Sequence, residues 1–348
     1  MKSRFSKQMS SLCVLVILPV SMILFNGKEA LQAIFYRQAE SKLVTLSIDH
    51  KPKTKVEFTT VQPPKNKSPG RSCRLTFGAY DPTGELSDHN NLKIQHLYIS
   101  WTQFDHKELL AGISKAEAAG RQILLTVEPW PNRDDQADTL LEDVTQGVYD
   151  ESIDRVAEVL SESTVAKYVS WGHEMDQDLT ERYPWSGKDP QKFIAAYRYV
   201  IDRIRKSTEA DLSFVWVGVL KDTSVRYWPG DEYVDFIGMP VYSFPSWDQQ
   251  TYGFIRDFRT TFEEKQNLIV DLDKPLMITE MGVAGSSDFE SFWLHQAFLA
   301  LDDYPRLTAV IFFYASDTEG AWGKNYPTPD WRVHPEAIRG LVDWKKTD

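Results

Sequence analysis

A (β/α)8 barrel is the fold this chain predicts, and three observations predict it. From Arg74 onward, short apolar runs rich in β-branched and aromatic residues alternate with segments of helical period. Eight such runs fit into residues 74–348, the count and size of one α/β barrel. The runs are apolar at nearly every position, as expected of parallel strands covered on both faces. A doubly wound open sheet would share the alternation, but no glycine-rich phosphate loop follows the first run.

The strands are expected at Leu75–Tyr80, Ile94–Trp101, Gln122–Glu128, Tyr168–His173, Leu212–Val219, Val234–Val241, Pro275–Glu280 and Thr308–Tyr314. Helical spacing is clearest over Lys107–Ala119, Ser152–Glu162, Pro190–Ser207, Tyr252–Asn267 and Phe289–Leu301. A barrel enzyme carries its chemistry at the C-terminal ends of its strands, where the βα loops gather. Several runs here end in polar or aromatic residues: Tyr80-Asp81, Trp101, Glu128 through Trp130, His173-Glu174, Tyr242 and Glu280.

Ahead of the barrel, residues 1–26 read as an export segment. Lys2, Arg4 and Lys7 precede the apolar run Leu12–Phe25, which is short for a membrane span. No small-x-small cleavage pattern follows it, so a removed signal peptide and an uncut anchor through residues 10–26 both stand. Residues 27–70 form a basic, proline-rich stalk ending in QPPKNKSPG, and residues 71–348 form the barrel. The expected location is secreted or extracytoplasmic. Only Cys73 lies outside the export segment, so no intrachain disulfide is expected.

Charge narrows the partners. The net charge is −11, while residues 1–26 carry +3 and residues 27–70 carry +4, leaving −11 − 7 = −18 for the barrel. Such a body repels a nucleic-acid backbone or an acidic polysaccharide, and a neutral glycan fits it. The 11 Trp favour surfaces on which flat, C–H-bearing sugar faces stack. Among them Trp101, Trp130, Trp185, Trp228 and Trp322 are candidate platforms, with Trp130 and Trp322 favoured by their place in loops at the barrel top. For any one of these, plain packing is the competing reading.

The stretch YVSWGHEMDQDLTERYPW, Tyr168–Trp185, brings a His-Glu pair out of the fourth strand. Glu280, in PLMITEMG, closes the seventh. Two carboxyls facing each other across a barrel mouth suit glycoside cleavage, one as acid and one as base or nucleophile. The acid of such a pair needs a dry wall and the anion needs donors; Tyr183 and Trp185 lie near Glu174, and the Tyr242 hydroxyl is a candidate donor. Glu128 is a further strand-end carboxylate, and Asp317 and Glu319 follow the last strand. His173, Glu174, Asp176 and Asp178 lack a second His or any Cys at ligand spacing, so no catalytic metal and no cofactor is expected.

In combination, WGHEM with YPW, then YWPGDEYVDFIG with VY, then KPLMITEMG, resembles glycoside hydrolase family 26 of the clan A barrel glycosidases. That resemblance implies retention, with Glu174 as acid/base, Glu280 as nucleophile, His173 beside the acid/base and Tyr242 holding the nucleophile. Activities it implies are endo-β-1,4-mannanase, mixed-linkage β-glucanase and β-1,3-xylanase. The chain departs from the mannanase pattern at Asp176-Gln177, where Asn-Gly or Asp-Gly is usual, and at Ser170, where Arg is usual. Both positions adjoin the acid/base and bear on specificity. The expectation is therefore a monomeric retaining endo-β-glycanase acting on a neutral polysaccharide, β-mannan or β-1,3/1,4-glucan. Trimming of an exopolysaccharide and non-catalytic glycan binding are the alternatives.

Overall fold

The computed structural model describes residues 75–163, 167–177 and 182–347. The export segment, the possible tether and the stalk lie outside the described residues. Eight parallel strands close into a barrel in sequence order: β1 (Thr76–Tyr80), β2 (Ile94–Ser100), β3 (Gln122–Glu128), β4 (Lys167–Trp171), β5 (Leu212–Val217), β6 (Phe236–Ser243), β7 (Leu276–Val283) and β8 (Leu307–Phe313), with β8 pairing back to β1. Outside them lie α1 (His106–Ala118), α2 (Leu140–Thr145), α3 (Asp150–Ser161), α4 (Pro190–Ser207), α5 (Pro245–Tyr252), α6 (Phe258–Asn267), α7 (Ser287–Ala300) and α8 (Pro335–Thr347). The (β/α)8 expectation holds, although β1–β2 and β5–β6 are joined without an α-helix.

Local chemistry explains the helices that fix the frame. In α4, Asp189 accepts from the amides of Gln191 and Lys192, Pro190 opens the first turn, and Arg205 and Lys206 sit at the negative end. Its stripe Phe193, Ala196, Tyr197, Val200, Ile201 and Ile204 is buried, at helical spacing. The single helix expected over Tyr252–Asn267 is instead a break between α5 and α6. Gly253, at φ +80°, ends α5, and the Asp257 carboxylate caps α6 through the Thr260 amide.

Inside the barrel, Ile94, Leu124, Val215, Val217, Met277, Ala309 and Ile311 form one apolar plug. Side chains two and four residues further along a strand point the same way. On β2, Ile94 in the plug is thus followed upward by His96 and Tyr98; on β3, Leu124 is followed by Thr126 and Glu128. The His96 Nε2 and Thr126 hydroxyl lie 2.8 Å apart, closing the polar layer above the plug. The site stands on this layer.

Candidate active site

Both glutamates differ from the strand-end placement that the sequence suggests. β4 stops at Trp171, and Glu174 sits in the following turn at φ +53°, in the left-handed region that a side chain disfavours. Gly172, at φ +60°, begins that turn; a Cβ there would lie 3.1 Å from the Phe193 ring. The Glu174 amide donates to the Val217 carbonyl on β5 at 2.8 Å, which pins the turn to the barrel rim. Glu280 lies within β7, which continues to Val283. Pairing of β7 shifts register beside it, against β6 between Met239 and Pro240 and against β8 between Ile278 and Met281. A bulge of this kind re-aims a side chain without ending the strand.

The second half of the Tyr168–Trp185 stretch braces the first. Trp185 Nε1 donates to the His173 carbonyl at 2.7 Å, Ser186 Oγ to the Glu174 carbonyl at 2.7 Å, and the Gly187 amide to the Met175 carbonyl at 2.9 Å. Asp176, buried, accepts from the amides of Val219 and Leu220 at 2.9 and 3.0 Å and from the Ser224 hydroxyl. Both sets satisfy polar groups that burial would otherwise leave costly, and together they fix the backbone that carries Glu174.

A cleft of about 1070 Å3 opens over the barrel mouth, and both glutamates line it with Glu128, His173, Tyr183, Tyr242 and Trp322. Glu280 accepts from the Tyr98 hydroxyl at 2.8 Å and the Tyr242 hydroxyl at 2.7 Å. Gly282 makes room for the second of these, since a Cβ there would stand 2.6 Å from the Tyr242 ring. Burial raises the Glu280 pKa, against the pull of the two phenols and the Arg182 guanidinium. The Glu174 carboxyl is pushed further, to about 8, by burial first and then by the Glu280 charge. Of the two, Glu174 is the carboxyl on which burial and the neighbouring Glu280 charge favour the proton.

Other polar groups surround the pair. Gln177 donates its side-chain amide to Glu174, so a position where the chain departs from the mannanase pattern touches that carboxyl directly. Arg182 lies 5.0 Å over the Tyr183 ring and pairs with Asp317 at 3.6 Å. His173 is neutral because burial drives its pKa down to about 3. Its Nε2 stands 4.0 Å from Glu128 Oε1, beyond hydrogen-bond reach. Burial raises the Glu128 pKa, against the Trp130 indole that donates to it at 2.9 Å. No group of three or more potential metal ligands occurs among the described residues.

The aromatic expectations divide. Tyr183 and Trp322 face the cleft. Trp101 and Trp185 do not: both are fully buried, Trp101 stacked at 5.0 Å on Tyr149 and Trp185 at 4.8 Å on Tyr183. A ring with both faces packed has none for a sugar, so these two are core and brace. Trp130 stands behind Glu128, and Trp228 packs edge-on to Trp216 at 5.3 Å, away from the cleft. Sequence reasoning missed Tyr98, Arg182 and Trp247. Tyr98 had a signal, since it shares the inward phase of β2 with Ile94.

The model of "Glycosyl hydrolase family 26" matches residues 132–296, which include Glu174, Tyr242 and Glu280. Over that region the chain matches glycoside hydrolase family 26. Endoglucanase H of Acetivibrio thermocellus is 24% identical over 264 residues, covering 71% of this chain and 27% of that protein. A β-1,3-xylanase of a Vibrio species is 30% identical over 109 residues, covering 30% of this chain and 22% of its own length. The chain thus spans about a quarter of the length of these curated relatives. A family 26 β-mannanase from Bacteroides ovatus shares the fold, with a TM-score of 0.56 at 19% identity over 79% of this chain and 88% of that one. The matched family model and these relatives are all named for the hydrolysis of glycosides.

Proposed function

We propose that the protein is a retaining endo-β-glycanase that cleaves a neutral β-linked polysaccharide by double displacement, with Glu280 as nucleophile and Glu174 as acid/base. The observation that carries this reading is the unequal hydrogen bonding of the two buried carboxyls: two phenols on Glu280, one amide on Glu174. In the first step Glu280 attacks the anomeric carbon while Glu174 gives its proton to the departing glycosidic oxygen. The chain fragment leaves as an alcohol, and a glycosyl ester remains on Glu280. In the second step Glu174, now a carboxylate, takes a proton from water as that water attacks the same carbon, and the ester opens to free Glu280 as the anion. Two inversions at one carbon give net retention.

Between substrates, the relative named an endoglucanase matches most of this chain in sequence, whereas the β-mannanase matches at the level of fold. That favours a β-1,3/1,4-glucan over a β-mannan. The test is hydrolysis of both polymers by the full chain, with the anomer of the fresh product read by NMR. Retention, with activity lost in Glu174→Ala and Glu280→Ala, is expected; an inverted product overturns the assignment. The basic and apolar start of the chain supports a protein held at, or exported across, a membrane. Recovery of the intact protein in the cytosolic fraction would overturn that part.

A further inference from the structure

Beyond the catalytic pair, the cleft continues along a file of aromatic rings that neither chemical step uses. Tyr242, which holds Glu280, lies 5.8 Å between centroids from Trp322; Trp322 lies 5.1 Å from Trp247, and Trp247 5.5 Å from Tyr252. All four line the cleft. The file then surfaces in the turn between α5 and α6, where Tyr252, Phe254 and Ile255 are 41%, 50% and 46% exposed. Large apolar side chains clustered at the mouth of a cleft mark a contact surface.

This turn is firmly built. Beneath it, Arg256 is buried and binds the buried Asp248 with its Nε at 3.0 Å, and reaches Glu264 at 3.3 Å. Its guanidinium packs 4.1 Å over the Tyr252 ring and 5.7 Å from that of Trp247. The Trp293 indole donates to the Arg256 carbonyl at 3.2 Å, tying the turn to α7. Rings held this way lose little side-chain freedom when a ligand lands on them. The Arg256 charge is met by two carboxylates, so the surface selects for apolar ring faces rather than for an anion.

We infer that α5 and the turn that follows it form a distal glycan platform, on which Trp247 and Tyr252 take pyranose rings of the same β-linked chain that Glu174 and Glu280 cleave. The inference rests on the hydrolase reading above and adds where a long substrate extends. Stacking needs only the C–H faces of the sugar, and the platform joins the catalytic groups without leaving the cleft.

The test is calorimetric binding of mixed-linkage β-glucan and β-mannan, as polymers and as oligosaccharides of graded length, to the full-length Glu280→Ala protein with and without Tyr252→Ala. Tyr252 is a surface ring, so its removal leaves the fold intact. Its loss is expected to weaken polymer binding about tenfold, with the effect shrinking as the oligosaccharide shortens. Trp247→Ala should show the same length dependence. An equal loss at every length, no loss, or a parent protein that holds neither glycan overturns the platform. Hydrolysis by the unmodified enzyme is measured separately: glycan bound with that length dependence but never cleaved would overturn the enzymatic reading and leave the platform standing.

Discussion

Glu280 lies inside β7 and receives two phenol hydrogen bonds, whereas Glu174 lies in a left-handed turn beyond β4 and receives the single amide of Gln177. Both carboxyls are buried, and burial raises the pKa of each. Burial alone therefore cannot divide the labour between them. The donors do: two hydroxyls aimed at one carboxylate stabilise its anion, and the resulting charge holds the proton on its neighbour.

The sharpest way to break this comparison is to remove each carboxyl in turn. On polysaccharide, Glu280→Ala and Glu174→Ala should each lose about 10²–10⁴-fold or more in kcat. A dinitrophenyl β-glycoside separates them, because its leaving group needs no proton. Glu174→Ala should then give a rapid burst of dinitrophenol and stall at the glycosyl ester, while Glu280→Ala gives no burst. Stopped-flow absorbance decides it, and a burst from Glu280→Ala would reverse the roles.

Next in size are the donors. Tyr98→Phe and Tyr242→Phe each remove a hydrogen bond to a charged group, expected to cost about 1.5–3 kcal/mol, or roughly 10–100-fold in rate. The sign on pH follows. Phenols stabilise the Glu280 anion, so losing one raises its pKa, and the acid limb of the kcat/KM profile should move to higher pH. The alkaline limb belongs to Glu174 and should fall near pH 8, where its proton leaves. Gln177→Ala deletes the donor on that side; it should lift the alkaline limb by less than the phenol variants lift the acid one. Movement of the same limb in all three would show that the donors do not distinguish the pair.

The barrel was legible because its signal repeats. Eight apolar runs make the same statement, and β7 is buried along its whole length. The carboxyls were legible as residues but not as geometry. The bulge that turns Glu280 inward and the left-handed backbone at Glu174 depend on neighbouring strands, and no local pattern announces them. The tryptophans failed for a related reason. Trp185 and Trp322 both follow strands in aromatic loops, yet Trp185 donates to the His173 carbonyl and is sealed, while Trp322 donates to Asp317 and keeps a face on the cleft. The indole partner made that difference, and it lies 12 residues away in one case and 5 in the other. Tyr98 shows the converse: strand phase alone pointed it inward, and only the closed barrel brings it to Glu280, 182 residues on.

The smallest expected effect concerns stability, and it tests the proton on Glu174 without any substrate. Its carboxyl titrates near 8 when folded and near 4.5 when free. Between those values the native state holds a proton that the unfolded chain releases, so stability falls as pH rises through that window. Below pH 4.5 the group is protonated in both states and contributes nothing to the slope. Glu174→Gln keeps the shape and the hydrogen-bonding oxygen while removing the charge. The variant should therefore be more stable than the parent at pH 8, with the advantage closing toward pH 4. Thermal unfolding at the two pH values reads this out. A stability gap that stays constant with pH would mean that Glu174 is already ionised in the fold, and the assignment of the proton to it would fail.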